Sequence, residues 1–279
     1  MEKYPTLSKI NSPKDIKKLN IVSLEKLSIE ISSYIQDVVN IKGGHFSSPL
    51  GVIDLTLALH YVYNSPNDKI IWDVGHQAYA HKIITGRREE FKNIRKKDGI
   101  SGFLKPSESK YDAFGAGHAS TSISAALGYA HARDKNKTNE NVLAVIGDGA
   151  MTGGLAYEAL NNLGYHRTQL TVVLNDNSFS ITESVGALSK YLTKITTHPK
   201  YNKLRDSIWK ISGKMPGKNN FIRKLIKKTE EGMKVTLTPG GLFEELGIRY
   251  IGPIDGHDIS EMIKIFNSIK NIKTPLLLH

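Results

Sequence analysis

The chain has 279 residues, 39% hydrophobic and 23% charged, which suffices for a large core and fits a soluble globular protein. No apolar run approaches the ~20 residues of a membrane helix, and the first twenty residues carry neither an apolar signal core nor the acid-poor character of a transit peptide. There are no cysteines, which excludes disulfides and thiolate metal sites and fits a reducing cytoplasm, the expected location.

The net charge of +11 is localised. Between residues 190 and 228, twelve Lys or Arg stand against one acid, Asp206, and the rest of the chain is near neutral. Such a run, within a segment spanning 185–235, reads as a solvated basic insertion or as a mobile flap that attracts anionic ligands. It carries no nucleic-acid-binding motif, so neither nucleic acid nor membrane is expected as a partner.

In chain order, residues 21–40 predict a helix, with Leu24, Leu27, Ile31, Ile35 and Val38 at helical spacing. The glycines and proline of "IKGGHFSSPLG" break it, and "VIDLTLALHYVY" predicts a second helix. A short strand at 70–73 ends at a turn in "WDVG", and "GAGHASTSISAALGYAHARD" reads as a glycine-led turn entering a helix whose Ser and Thr suit capping. A strand at 142–146, a helix at about 154–163 and a strand at 170–174 make a βαβ unit with continuous apolar strands, as in a parallel sheet covered on both faces. A short helix at 242–246, a strand at 249–251, a helix at about 258–270 and a last strand in "TPLLLH" follow. The expected fold is one doubly wound, mostly parallel α/β domain over 1–279, with helices on both faces and 185–235 as an excursion from it.

Within that unit, "NVLAVIGDGAMTGGLAYEALNNLG" pushes one carboxylate, Asp148, out between Gly147 and Gly149 at the end of a buried strand. Ligands of open parallel sheets bind beyond the carboxyl ends of the strands. Asn177 of "LNDN" follows the next strand, so both side chains can reach one point, and a carboxylate with an amide oxygen suits a hard cation such as Mg²⁺ that shares its ligands with a phosphate. Gly147 and Gly149 let the backbone approach a bulky anion, while Gly153 and Gly154 leave uncrowded a helix start whose N–H groups favour negative charge.

"GDG" after a buried strand, then a helix, then "LNDN" after the next strand, with 27 residues between Gly149 and Asn177, is the pattern of thiamine diphosphate enzymes. From about residue 20 to His279, the strings "HFSSPLGVIDLTLALHYVYNSPNDKIIWDVGHQAYAHKIITGR", "GHASTSISAALGYA", "GDGAMTGGLAYEALNNLG" and "LFEELGIRYIGPIDGHD" resemble the 1-deoxy-D-xylulose-5-phosphate synthases. "DVGHQAYAHKIITGR" and "YIGPIDGHD" discriminate that family from the transketolases, which share only the metal motif. The resemblance implies thiamine diphosphate and Mg²⁺ as cofactors, and pyruvate and D-glyceraldehyde 3-phosphate as substrates, joined with loss of CO₂ in isoprenoid, thiamine and pyridoxal synthesis.

It also implies roles for residues. Asp148 and Asn177 match the family's Mg²⁺ ligands, with the Phe179 carbonyl as a third. Gly149 and Ala150 match backbone contacts to the diphosphate, His76 matches a cofactor-contacting histidine, and Gly117, His118 and Ala119 match a second cofactor-binding turn. His45 matches a histidine that faces the substrates, and together with His76 is the candidate for proton transfer. His60, His81 and His131 are read as structural. Two departures stand out: Pro49 where the family usually has a small residue, and Ala119 where Ser is usual.

Family members are roughly twice this long, with three α/β domains, and the chain resembles only the first. The second contributes the glutamate that activates the aminopyrimidine and the arginines that hold the substrate phosphate. The resemblance therefore implies that these residues need those C-terminal domains, or a complementary chain of a split transketolase-like enzyme, to turn over substrate. It further implies a homodimer when complete, and an exposed apolar face on this portion alone. A non-catalytic cofactor-binding remnant is the alternative from another class.

Overall fold

A computed structural model describes residues 3–176 and 240–279. The basic segment 185–235, and the candidate ligands Asn177 and Phe179, lie outside the described residues. Five strands, β1 (Lys69–Trp72), β2 (Val142–Gly147), β3 (Thr171–Asn175), β4 (Arg249–Ile251) and β5 (Leu276–Leu278), form one sheet in the order β1-β2-β3-β5-β4. Every pairing is parallel, with Val145 opposite Val173 and Gly147 opposite Asn175 across β2 and β3. All the carboxyl ends of these strands therefore share one edge.

The strands read as unbroken apolar runs because both faces are buried. Alternate residues divide between two cores. Trp72, Leu143, Val145, Val173 and Leu278 point to one, and Ile71, Ala144, Ile146, Val172, Leu174 and Leu277 to the other. Helices α1 (Ile21–Lys42), α2 (Ile53–Val62) and α5 (Ile259–Ile269) cover the first face. Helices α3 (Ser122–Asn136) and α4 (Gly154–His166) cover the second. In α1 the stripe Leu24, Leu27, Ile31, Ile35 and Val38 is buried as its spacing predicts, each side chain stabilising the fold by about 1.5–3 kcal/mol. Asn20 caps its start by accepting from Ser23 N at 2.9 Å, and Gly43, at φ 75°, ends it.

The chain steps β1, β2, β3 in one direction across the sheet, through α3 and α4 on one face. It returns from β4 to β5 through α5 on the other. The reversal falls between β3 and β5, so the helices diverge there and leave a crevice above the strand ends. β4 is an outer strand: Arg249 and Ile251 turn their backbone toward β5, and the outward N–H of Tyr250 donates to Glu244 Oε1 at 2.9 Å.

Two segments take up structure that the sequence left unassigned, and one local expectation needs correction. Pro49 lies inside a four-residue helix, Ser47–Leu50, where its ring is buried, so "GGHFSSPLG" does not stay irregular. The segment 79–91, for which "HQAYAHKIITGRREEF" offered no clear periodicity, is helical, Tyr79–Lys82 and Arg88–Phe91, joined by a wide turn at Ile83–Arg87 in which Gly86 takes φ 95°. No Ser or Thr side chain caps α3. Its start is capped from outside, by the carboxylate of Asp73.

Candidate functional site

β1 ends in Trp72, and the next residue, Asp73, is buried at the strand tip. Its Oδ1 accepts from Ser120 N at 2.8 Å and its Oδ2 from Ser122 N at 2.9 Å, so one carboxylate ties the end of β1 to the turn that opens α3. The bond to Ser122 N satisfies one of the amides that a helix start leaves unpaired, and the bond to Ser120 N pins the turn before it. Ser120 sits in the left-handed region, at φ 69°, and its hydroxyl donates to Ala150 O at 2.7 Å, linking the α3 turn to the segment after β2. Val74, at φ 57°, is a β-branched residue in the same strained region. Both line one cleft, and backbone strain of this kind collects where geometry serves a ligand.

The cleft encloses about 310 Å³ over the carboxyl ends of β1 and β2. Its walls bring together seven residues singled out in the sequence: His76, Ala119, Gly147, Asp148, Gly149, Ala150 and Gly153. Asp148 opens the short helix Asp148–Met151, and Thr152 closes it through Oγ1 on Gly149 O at 2.7 Å. A Cβ on Gly149 would meet nothing within 4 Å, so this backbone is open to an incoming group. Gly153 is compelled by packing, since a Cβ there would lie 2.1 Å from Ser120 Oγ.

His45 does not line the cleft but stands behind it, its ring 5.1 Å from that of His76 and edge-on to it, with Phe103 6.0 Å away on another side. Its backbone N–H donates to Tyr79 Oη at 3.3 Å. Burial lowers the pKa of both imidazoles; the charge of Arg95 adds to this at His45, and each ring's neighbour adds to it at His76 through His45. Both rings are thereby held neutral near pH 7. The Nδ1 of each is buried with no hydrogen-bond partner among the described residues, so each offers an unused polar atom. Gly117 and His118 lie on an exposed stretch just before Ala119 and are not brought into the lining.

Beside the capping Asp73, Asp148 is the second acidic group of the cleft. Burial raises its pKa, and the negative charge of Asp176, at the end of neighbouring β3, raises it further. A divalent cation would offset both effects. Among the described residues no three His, Asp or Glu side chains are grouped to hold a metal by themselves. A site with one carboxylate completed by amide and carbonyl oxygens has a donor set of a different kind, one that suits Mg²⁺.

Beneath the cleft, a buried polar network anchors the segment 101–116 that leads into the Ser120 turn. Arg87 forms a two-pronged pair with Asp112 at 2.7 Å on each oxygen, and Lys82 Nζ reaches Glu108 at 2.7 Å. His81 Nε2 contacts Asp112 Oδ1 at 3.2 Å, and its Nδ1 contacts His60 Nε2 at 2.9 Å. Since a carboxylate only accepts, His81 carries its proton on Nε2 and His60 donates to it from Nε2. Burial depresses both histidines, most strongly His60. These two are scaffold, in keeping with their reading from sequence.

Sequence reasoning missed Asp73 and Ser120, and read Gly153 only as leaving the helix start uncrowded. The signal for Asp73 was present: "WDVG" repeats at β1 the strand–Asp–turn arrangement of "IGDG" at β2. The contact between Ser120 and Gly153 is revealed only by the close approach of two turns distant in sequence.

The sheet order and crossovers define a transketolase-like α/β fold. The structure aligns with transketolase from Campylobacter jejuni at a TM-score of 0.65 and 20% identity, over 93% of this chain and 37% of that one. Transketolase from Leishmania mexicana aligns at 0.61 and 15%, over 91% and 36%. The chain belongs to the 1-deoxy-D-xylulose-5-phosphate synthase family, whose N-terminal model matches residues 7–279. It is 53% identical to 1-deoxy-D-xylulose-5-phosphate synthase of Caldanaerobacter subterraneus subsp. tengcongensis over 98% of its length, and 52% identical to that of Carboxydothermus hydrogenoformans over 99%. It spans about 44% of the length of each of these curated relatives. No helix among the described residues is long and apolar enough to cross a membrane.

Proposed function

We propose that this chain supplies the diphosphate-gripping portion of a thiamine diphosphate- and Mg²⁺-dependent 1-deoxy-D-xylulose-5-phosphate synthase, which joins pyruvate to D-glyceraldehyde 3-phosphate with loss of CO₂. The observation that carries the proposal is the position of Asp148, half-buried at the end of β2 and opening on the same cleft as His76 and the open backbone of Gly149. At about 50% identity over nearly the whole chain, the relatives bearing that name support the choice among thiamine enzymes.

In this reading Asp148, Asn177 and the Phe179 carbonyl hold Mg²⁺, while Gly149 and Ala150 present backbone N–H groups to the diphosphate. When bound, the cofactor supplies a nucleophilic carbon and an electron sink for decarboxylation. His76, on the cleft wall, is the imidazole placed to meet a cofactor or substrate group, and His45 packs against its ring from behind; burial holds both neutral. The turn at 117–119 closes over the cofactor from the α3 side. The remaining length of the relatives contributes the other half of the site, within a homodimer, so these 279 residues alone are expected to yield no product.

The test is calorimetric titration of the purified chain with thiamine diphosphate and Mg²⁺, with Asp148→Ala as control. Metal-dependent binding that the substitution abolishes supports the site. Binding that survives the substitution would move the metal elsewhere and refute it.

A further inference from the structure

At the sheet reversal, a second cavity of about 170 Å³ adjoins the first and shares Asn175 with it. Asp176 and His279 meet at its mouth, across the gap between β3 and β5. His279 Nε2 lies 3.3 Å from Asp176 Oδ2, and Nδ1 lies 2.8 Å from Tyr250 Oη. Tyr250 stacks parallel on Phe243, with centroids 5.9 Å apart, and a Cβ on Gly240 would clash with its ring at 2.4 Å. Asp176 and His279 follow the ends of β3 and β5, Tyr250 lies mid-strand in β4, and Asp176 and His279 are nearly fully buried.

The chain of donors fixes the protons. A carboxylate accepts only, so the Nε2 proton of His279 points at Asp176, leaving Nδ1 to accept from the Tyr250 hydroxyl. The imidazole then cannot flip without breaking both bonds, and the carboxylate is held in one orientation. Asn175 faces Gly147 in the sheet register, so Asp176 stands beside Asp148, one strand away.

We propose that Tyr250 and His279 form a positioning relay which aims the Asp176 carboxylate at the water shell of a divalent cation held by Asp148. Mg²⁺ usually keeps several waters, and carboxylates beyond its direct ligands orient them and tune affinity. Tyr250 and His279 are thus positioning residues for metal binding and touch neither metal nor substrate. The inference rests on the metal reading given above.

The experiment measures Mn²⁺ affinity of the chain in the presence of thiamine diphosphate, by calorimetry and by electron paramagnetic resonance. It compares wild type, Asp148→Ala, Tyr250→Phe and His279→Gln. The tautomer of His279 is read by nitrogen-15 imidazole NMR without metal. Tyr250→Phe keeps the stack on Phe243 and removes only the hydroxyl. The expected result is Mn²⁺ binding lost in Asp148→Ala and weakened about tenfold in the other two. Wild-type His279 should be a fixed Nε2–H tautomer, and it should stay so in Tyr250→Phe because Asp176 still accepts from Nε2. Binding lost in Asp148→Ala but unchanged in both relay variants overturns the relay alone, as does an Nδ1–H tautomer in the wild type. Equal absence of binding in wild type and Asp148→Ala removes the metal reading and this inference with it.

Discussion

Replacing Gly153 with alanine tests the turn contact on which the candidate site is built. The new Cβ would lie 2.1 Å from Ser120 Oγ and 2.8 Å from Ser120 Cβ. Ser120 has little room to retreat, because Asp73 holds its N–H and Ala150 O takes its hydroxyl. Swinging Oγ away would forfeit a hydrogen bond of about 1 kcal/mol. The remaining overlap with Cβ needs a backbone shift that costs about 1–3 kcal/mol. Gly153 has φ −74°, which alanine adopts freely, so reduced freedom of the unfolded chain returns about 0.4–1 kcal/mol. The net loss is then about 2 kcal/mol, read as a lower midpoint in urea denaturation followed by the fluorescence of buried Trp72. In a Ser120→Gly background both clashing atoms are gone and glycine accepts φ 69° readily, so the same alanine should cost nothing or stabilise slightly. A cost equal in the two backgrounds to within about 0.5 kcal/mol would refute the contact as the reason for glycine.

Asp73→Ala strips the acceptor from two backbone amides and should lower stability by about 3–5 kcal/mol, while Asp73→Asn, with one oxygen, should recover part of it; equal unfolding midpoints for all three would contradict the cap. Arg87→Met leaves Asp112 as an uncompensated buried carboxylate and should cost about 3–5 kcal/mol, with Arg87→Lys a poor rescue because the pair is two-pronged; a loss below about 1 kcal/mol in denaturant melts would argue against it. Stability should fall as pH drops below about 6.5, because burial depresses His60 and His81 and the unfolded chain takes up protons first, at a slope of up to about 1.4 kcal/mol per pH unit for each. Burial alone would raise Asp112, but hydrogen bonds from His81 and Arg87 outweigh it and hold it well below its ordinary value, so a further loss sets in below about pH 4. Urea midpoints that stay level from pH 8 to pH 5 would exclude the histidine contribution.

The parts of the fold legible from sequence are those in which one physical demand dominates. β2 and β3 are buried on both faces, so apolarity alone marks them, and α1 declares itself by a stripe of five buried residues. Segment 79–91 escaped because its helical turns are held by Lys82 and Arg87 reaching Glu108 and Asp112, contacts that leave no periodicity behind. The expected Ser/Thr cap of α3 failed because the Thr121 hydroxyl turns back to His118 O, while Asp73, far away in sequence, takes the Ser122 amide. Asp148 was marked by its place between two glycines at a strand tip; of the residues marked by resemblance, His76 lines the cleft while Gly117 and His118 lie outside its lining.

The outward amide of Tyr250 has a consequence for association. An outer strand usually offers its free N–H groups to any extended chain that drifts past, and sheets can grow by that route into aggregates. On β4 the only amide that faces outward mid-strand is already bound to the Glu244 carboxylate, which also places a negative charge on the rim. A strand approaching from that side would have to displace an anion before making its first bond. The same tyrosine that faces inward to His279 thus has a backbone closed to outside partners, and this rim of the sheet resists edge-to-edge stacking.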